Sequence, residues 1–122
     1  MNQGQNGGID RGETGTLEHE MIHCVKNDGA GESLMNVLRL QIPELTAEQA
    51  LRLEFDQVGE DMQKALTFLT ASVLYEIWTT RTSATRVRLP QVRAQLEARL
   101  AILRTTRHSG IASNVTIIMH EL

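Results

Sequence analysis

His19, Glu20, His23 and Cys24 form the one concentrated set of metal-binding or proton-moving side chains in this 122-residue sequence. His19-Glu20-Met21-Ile22-His23 fits the H-E-x-x-H pattern. On an α-helix, residues four apart share a face, so both imidazoles could grip one zinc ion. Glu20 would then be the general base on a zinc-bound water, which is the chemistry of a zinc-dependent hydrolase. The surroundings oppose that reading. No H-x-x-G-x-x-H extension follows, since the chain continues Cys24-Val25-Lys26-Asn27. A third ligand would have to be Cys24, about 100° round an ideal helix from His23, or a distant carboxylate such as Glu44 or Glu54. His19 and Cys24 also stand in H-x4-C spacing, the second half of a C-x-x-C…H-x4-C zinc knuckle, and thiolate with imidazole suits tetrahedral zinc. No cysteine precedes them to supply the first half. Zinc is therefore the candidate cofactor, and His19, His23 and Cys24 are its candidate ligands.

A second chemistry is electrostatic. Residues 1–78 carry thirteen acidic and five basic side chains, whereas residues 79–122 carry seven basic and two acidic ones. The basic set is Arg81, Arg86, Arg88, Arg93, Arg99, Arg104 and Arg107. Such a split suits either an anionic partner or two halves packed against each other. Arg81, Arg86, Arg88, Arg99, Arg104 and Arg107 are the candidate nucleic-acid contacts. Arg93 has Glu97 four residues on and is expected to pair with it. Stacking on bases calls for aromatics, and no aromatic follows Trp78.

These side chains need elements to hold them, and the pattern is helical. Aromatics are 3% of the chain, so the core must be aliphatic. Residues 1–15 are rich in Gly, Asn and Gln and are expected to be disordered. Thr16 would cap a helix from Leu17 to about Lys26, stopped by Asn27-Asp28-Gly29. A second helix is expected from about Glu32 to Leu40, ended by Pro43. Thr46 and Gln49 have capping-box spacing and open a third helix, running to about Phe55. Met62, Leu66, Leu69, Val73 and Ile77 form the buried stripe of a long fourth helix, Asp61 to Thr82, with Tyr75 and Trp78 broadening it and an end at Thr79–Ser83 that is expected to fray or turn. Pro90 opens a fifth helix carrying Val92, Leu96, Leu100 and Leu103 and ending near Arg107. The remainder could be a short strand or a docked helix. The expected architecture is an all-α, small irregular bundle of about five helices. Its divisions are a disordered N-terminus (1–15), a helical domain (16–110) and a C-terminal tail (111–122).

Composition and length exclude several classes. The chain is too short for a complete polymerase, kinase or Rossmann enzyme. No run of about 18 apolar residues suggests a membrane span, and the N-terminus lacks the basic and apolar regions of a signal peptide. One cysteine cannot form an intramolecular disulfide.

The stretch from Gly15 to Cys24 resembles the E-T-x-E-H-x-x-x-x-C sequence at the C-terminal end of LINE-type (non-LTR) retrotransposon reverse transcriptases. The resemblance continues in order through Gly29–Leu34, Ile42–Leu51, Ser72–Trp78 and Val92–Arg99, covering about residues 13–109. It implies a helical region that follows a polymerase domain and whose knuckle engages template RNA or target DNA, hence a location in nucleus or cytoplasm. Only His19 and Cys24 fall on the family's ligand positions; His23 does not. The polymerase domain and the C-x-x-C half are missing. By itself the chain would thus be a non-catalytic fragment with nucleic-acid affinity. Two other readings stand beside it: a small helical module that self-associates through its stripes, and the zinc hydrolase.

Overall fold

The computed structural model describes residues 18–120 and 122. The disorder expected for residues 1–15, the Thr16 cap and the helix start at Leu17 lie outside the described residues. Within them the chain is all-α. A π-turn (His19–His23) and a 3-10 turn (Val25–Asn27) lead into α1 (Ala30–Gln41), α2 (Ala47–Leu51), α3 (Glu60–Thr82), α4 (Leu89–Leu103) and α5 (Ser109–Met119). The central helix is α3, which packs on α1 at one side and on α4 and α5 at the other.

The first expected helix is not regular. Cys24 N–H donates to the His19 carbonyl at 2.7 Å, five residues back, and Cys24 then turns extended. Burial of Met21 and Ile22 pins this turn onto α1. The backbones meet at Gly31, where an added Cβ would lie 2.4 Å from the Ile22 carbonyl oxygen. Asp28 and Gly29 both take left-handed backbone conformations, making the expected stop before α1.

The capping box at α2 is complete: Gln49 N–H donates to Thr46 Oγ1 at 3.1 Å and Thr46 N–H to Gln49 Oε1 at 3.0 Å. The helix ends at Leu51 rather than near Phe55. Leu53, at φ 58°, donates to the Ala50 carbonyl, and Glu54 to that of Gln49. That pair of bonds is a Schellman stop built on leucine instead of glycine. Phe55 is buried from the loop beyond it.

Helix α3 begins behind Gly59 with Glu60 and Asp61 in its first turn and Arg81 in its last, the order its dipole favours. Leu66, Leu69, Val73 and Ile77 are buried as expected. Tyr75 and Trp78 are not part of that stripe; each is 57% exposed. Of the two outcomes expected for the end of α3, fraying or turning, it is a turn that forms. Ala84, at φ 60°, donates to Arg81 and Thr85 to Thr80, a second Schellman stop, while the Ser83 hydroxyl donates back to Thr79 and Thr80.

In α4, Pro90 lies in the first turn, and Val92, Leu96 and Leu100 face the core. The helix stops at Leu103, short of Arg107. The hydroxyls of Thr105 and Thr106 donate to the Ile102 and Leu103 carbonyls at 2.7 Å each, offering these acceptors an alternative to further helix. Among the described ion pairs, none joins Arg93 to Glu97; Glu76 pairs with Arg99 instead. In the segment read as a tail, α5 docks on α3 and α4 with Ala112, Val115, Ile118 and Met119 buried.

Candidate functional site

Arg81, in the last turn of α3, reaches back to the two irregular turns. Its Nη2 pairs with Glu20 Oε2 at 2.6 Å, and its Nη1 donates to Asn27 Oδ1 at 3.0 Å and to the Glu20 carbonyl at 3.4 Å. Asn27 is fully buried and donates its own amide N–H to the Glu20 carbonyl at 2.7 Å. Both ends of this buried amide are therefore satisfied, as a polar group out of water requires. The same guanidinium lies beside the Cys24 sulfur. Burial pushes the Cys24 thiol up, but the neighbouring Arg81 guanidinium and the Lys26 backbone outweigh it and hold the thiol below its ordinary range.

A second tie closes the other end. Asp28 Oδ2 accepts from the Leu89 backbone N–H at 2.8 Å, so a side chain 61 residues away supplies a hydrogen bond to the otherwise unpaired start of α4. Between these anchors lies an open cleft of about 600 Å³, lined by Val25, Lys26, Asp28, Arg81, Ala84, Thr85, Arg86 and Val87. The segment between α3 and α4 is extended. Val87 points into the core, while Arg86 and Arg88 on either side of it are exposed. Arg88 lines the neighbouring groove between α3 and α4.

The candidate basic residues thus divide. Arg81 and Arg99 are tied to carboxylates, Glu20 and Glu76. Arg104 Nη2 donates to Thr116 Oγ1 at 2.7 Å. Arg86, Arg88 and Arg107 are exposed and take part in none of the described ion pairs. Arg107 sits apart, in the turn between α4 and α5. Lys26, from the acidic half of the chain, joins Arg86 at the cleft. No charge count in the sequence singles it out, because the fold alone brings residue 26 to residue 86.

The zinc candidates are not brought together. His23 Nδ1 lies 2.9 Å from Glu32 Oε2, and Nε2 lies 2.9 Å from Glu18 Oε2. The hydrogen bonds to Glu32 and Glu18 raise the His23 pKa above its ordinary value, opposed by slight desolvation. An imidazolium donating from both nitrogens has no lone pair for a metal. His19 is exposed, and the Cys24 sulfur faces Arg81. Among the described residues no three His, Cys, Asp or Glu side chains are grouped to hold a metal ion. Glu20, the candidate base, is engaged by Arg81. No helix among the described residues is long and apolar enough to cross a membrane.

No family model, curated protein or solved structure matches the chain.

Proposed function

We propose that this chain is a non-catalytic helical module that holds single-stranded nucleic acid by its phosphates, as expected of a fragment resembling the C-terminal region of a LINE-type reverse transcriptase. The observation that carries this reading is the cationic edge made by Lys26, Arg86 and Arg88. All three are exposed, and none takes part in a described ion pair. A guanidinium already tied to a carboxylate offers a phosphate little, because the partner must be displaced. A free one gains charge-assisted hydrogen bonds outright. Arg81 and Arg99 therefore serve the fold, and Arg86 and Arg88 serve the ligand.

The magnitude is modest. Three cations on a chain of net charge -3 give weak binding, with Kd on the order of 10⁻⁴ M at physiological salt, the weak end of non-specific association. Contacts to phosphate carry no sequence information, so the binding is sequence-independent. The test is a fluorescence-anisotropy titration of a labelled single-stranded RNA at a series of salt concentrations. Three phosphate contacts predict a slope of log K against log salt of about -2. Absence of binding at about 20 mM salt, or a slope of zero, would overturn the reading. By the same resemblance, the chain belongs in nucleus or cytoplasm.

A further inference from the structure

An acidic side chain stands in the cationic cleft. Asp28 lines it together with Lys26, Arg81 and Arg86, and a carboxylate there repels the phosphates that the cations would hold. It does not mask them, because none of the described ion pairs joins Asp28 to Lys26, Arg86 or Arg88. Its Oδ2 accepts instead from the Leu89 N–H at 2.8 Å, across 61 residues of sequence. The start of α4 sets that donor apart. Gln91 and Val92 donate to the Arg88 carbonyl, and Pro90 has no N–H. Leu89 therefore carries the remaining amide of the first turn, without a helical acceptor. A carboxylate suits it twice over, as an acceptor and as a negative charge at the positive end of the α4 dipole.

The bond joins the two walls of the cleft. Lys26 stands on one wall, in the 3-10 turn just ahead of Asp28. Arg86 and Arg88 stand on the other, in the extended segment that runs into Leu89. The first wall is held to α3 where Asn27 accepts from Arg81. The second leaves α3 at the left-handed Ala84, is pinned at its middle by the buried Val87, and meets Asp28 at its end. We infer that Asp28 is a positioning residue for the cationic edge. Its bond to the Leu89 N–H holds Arg86 and Arg88 in register with Lys26, so that cations from both walls meet the phosphates of one strand. The inference rests on the phosphate binding proposed above. It adds that the edge works as a unit, closed by an acid that touches no phosphate.

Two variants separate the bond from the charge. Asp28→Asn and Asp28→Gly each remove one negative charge, and asparagine and glycine both accept the left-handed backbone that Asp28 takes at φ 55°. Only asparagine keeps an acceptor for Leu89. The test is the anisotropy titration of labelled single-stranded RNA against salt on the full chain, with amide hydrogen exchange of Leu89 followed by NMR on the same proteins. The Leu89 amide should be protected in the wild type and in Asp28→Asn, and should exchange freely in Asp28→Gly, at unchanged helicity by circular dichroism. Asp28→Asn should bind at least as tightly as the wild type. Asp28→Gly should bind about threefold or more weakly than Asp28→Asn, although both have lost the same charge, and its slope of log K against log salt should fall from about -2 to about -1.4, one phosphate contact of three being lost. A variant that was merely less stable would keep the wild-type slope. Equal affinity and slope for the two variants would overturn the positioning role while leaving the phosphate binding in place. An unprotected Leu89 amide in the wild type would overturn it too. No binding by the wild-type chain would overturn both readings together.

Discussion

At the scale of single residues, two titrating groups report on the network that fixes the irregular N-terminal turns. His23 bridges Glu32 on α1 and Glu18 ahead of the π-turn, and its pKa is raised by them. The sign follows from linkage. The stabilisation is fully present below the unfolded-state value of about 6.5 and is lost as pH rises through the raised folded value. The His23 side chain is 41% exposed, so the effect is that of surface pairs, ~0.5 kcal/mol each. His23→Gln should therefore lower the melting temperature at pH about 6 and leave it unchanged at pH about 8.5. An equal effect at both values would show that the bridge contributes packing and no charge. Cys24 gives the second reporter. Its thiol is held below the ordinary range by Arg81 against the opposing push of burial. The pH midpoint of alkylation by iodoacetamide should lie below that of a free cysteine and move upward in Arg81→Gln; an unmoved midpoint would remove Arg81 as the cause. The H-E-x-x-H pattern was fully legible in the sequence. What it could not convey was that Glu18 and Glu32 occupy the His23 nitrogens, because the Glu32 contact exists only once the π-turn lies across α1.

At the scale of elements, the helices that follow from periodicity are those whose burial is one-sided. The Leu66, Leu69, Val73 and Ile77 stripe specifies α3, and Val92, Leu96 and Leu100 specify α4. Helix ends were less legible wherever the stop is made without glycine. Leu53 and Ala84 occupy left-handed positions that sequence rules assign to glycine; the stop at Leu53 was missed, whereas the end of α3 at Thr82 was legible and only the left-handed turn at Ala84 behind it was not. This bears on the site, because Ala84 lines the cleft. A left-handed alanine costs about 1–2 kcal/mol relative to an unstrained backbone, and glycine relieves it at some cost in unfolded-chain entropy. Ala84→Gly should thus stabilise the chain by about 0.5–1 kcal/mol in urea denaturation, at unchanged m-value. A loss of stability would mean that the methyl group's packing outweighs the strain. Tyr75 and Trp78 show the opposite case. Their exposure was readable from spacing, since Tyr75 falls on the far side of the helix from Leu66, Val73 and Ile77. Hydrophobic character alone suggested burial, and the period decides against it.

At the scale of the whole molecule, the acidic and basic halves are packed against each other, and the packing consumes part of the charge asymmetry. Arg81 meets Glu20 and Arg99 meets Glu76 across the fold. Asp28 ties the first turn to α4. The all-α class was legible in the sequence; the sorting of arginines into structural and free ones was not, because it depends on long-range pairs. That sorting leaves Lys26, Arg86 and Arg88 as the cationic edge outside the described ion pairs, and the proposed function rests on it. The direct measurement compares single-stranded RNA binding at about 20 mM salt for the wild-type chain, for Arg86→Glu/Arg88→Glu, and for Arg107→Glu. With two of three contacts reversed, the double variant should lose binding by about tenfold or more, at unchanged helicity, while Arg107→Glu should bind as the wild type does. Equal affinity of the double variant and the wild type would contradict the account, as would a loss on Arg107→Glu as large as that on the cleft edge.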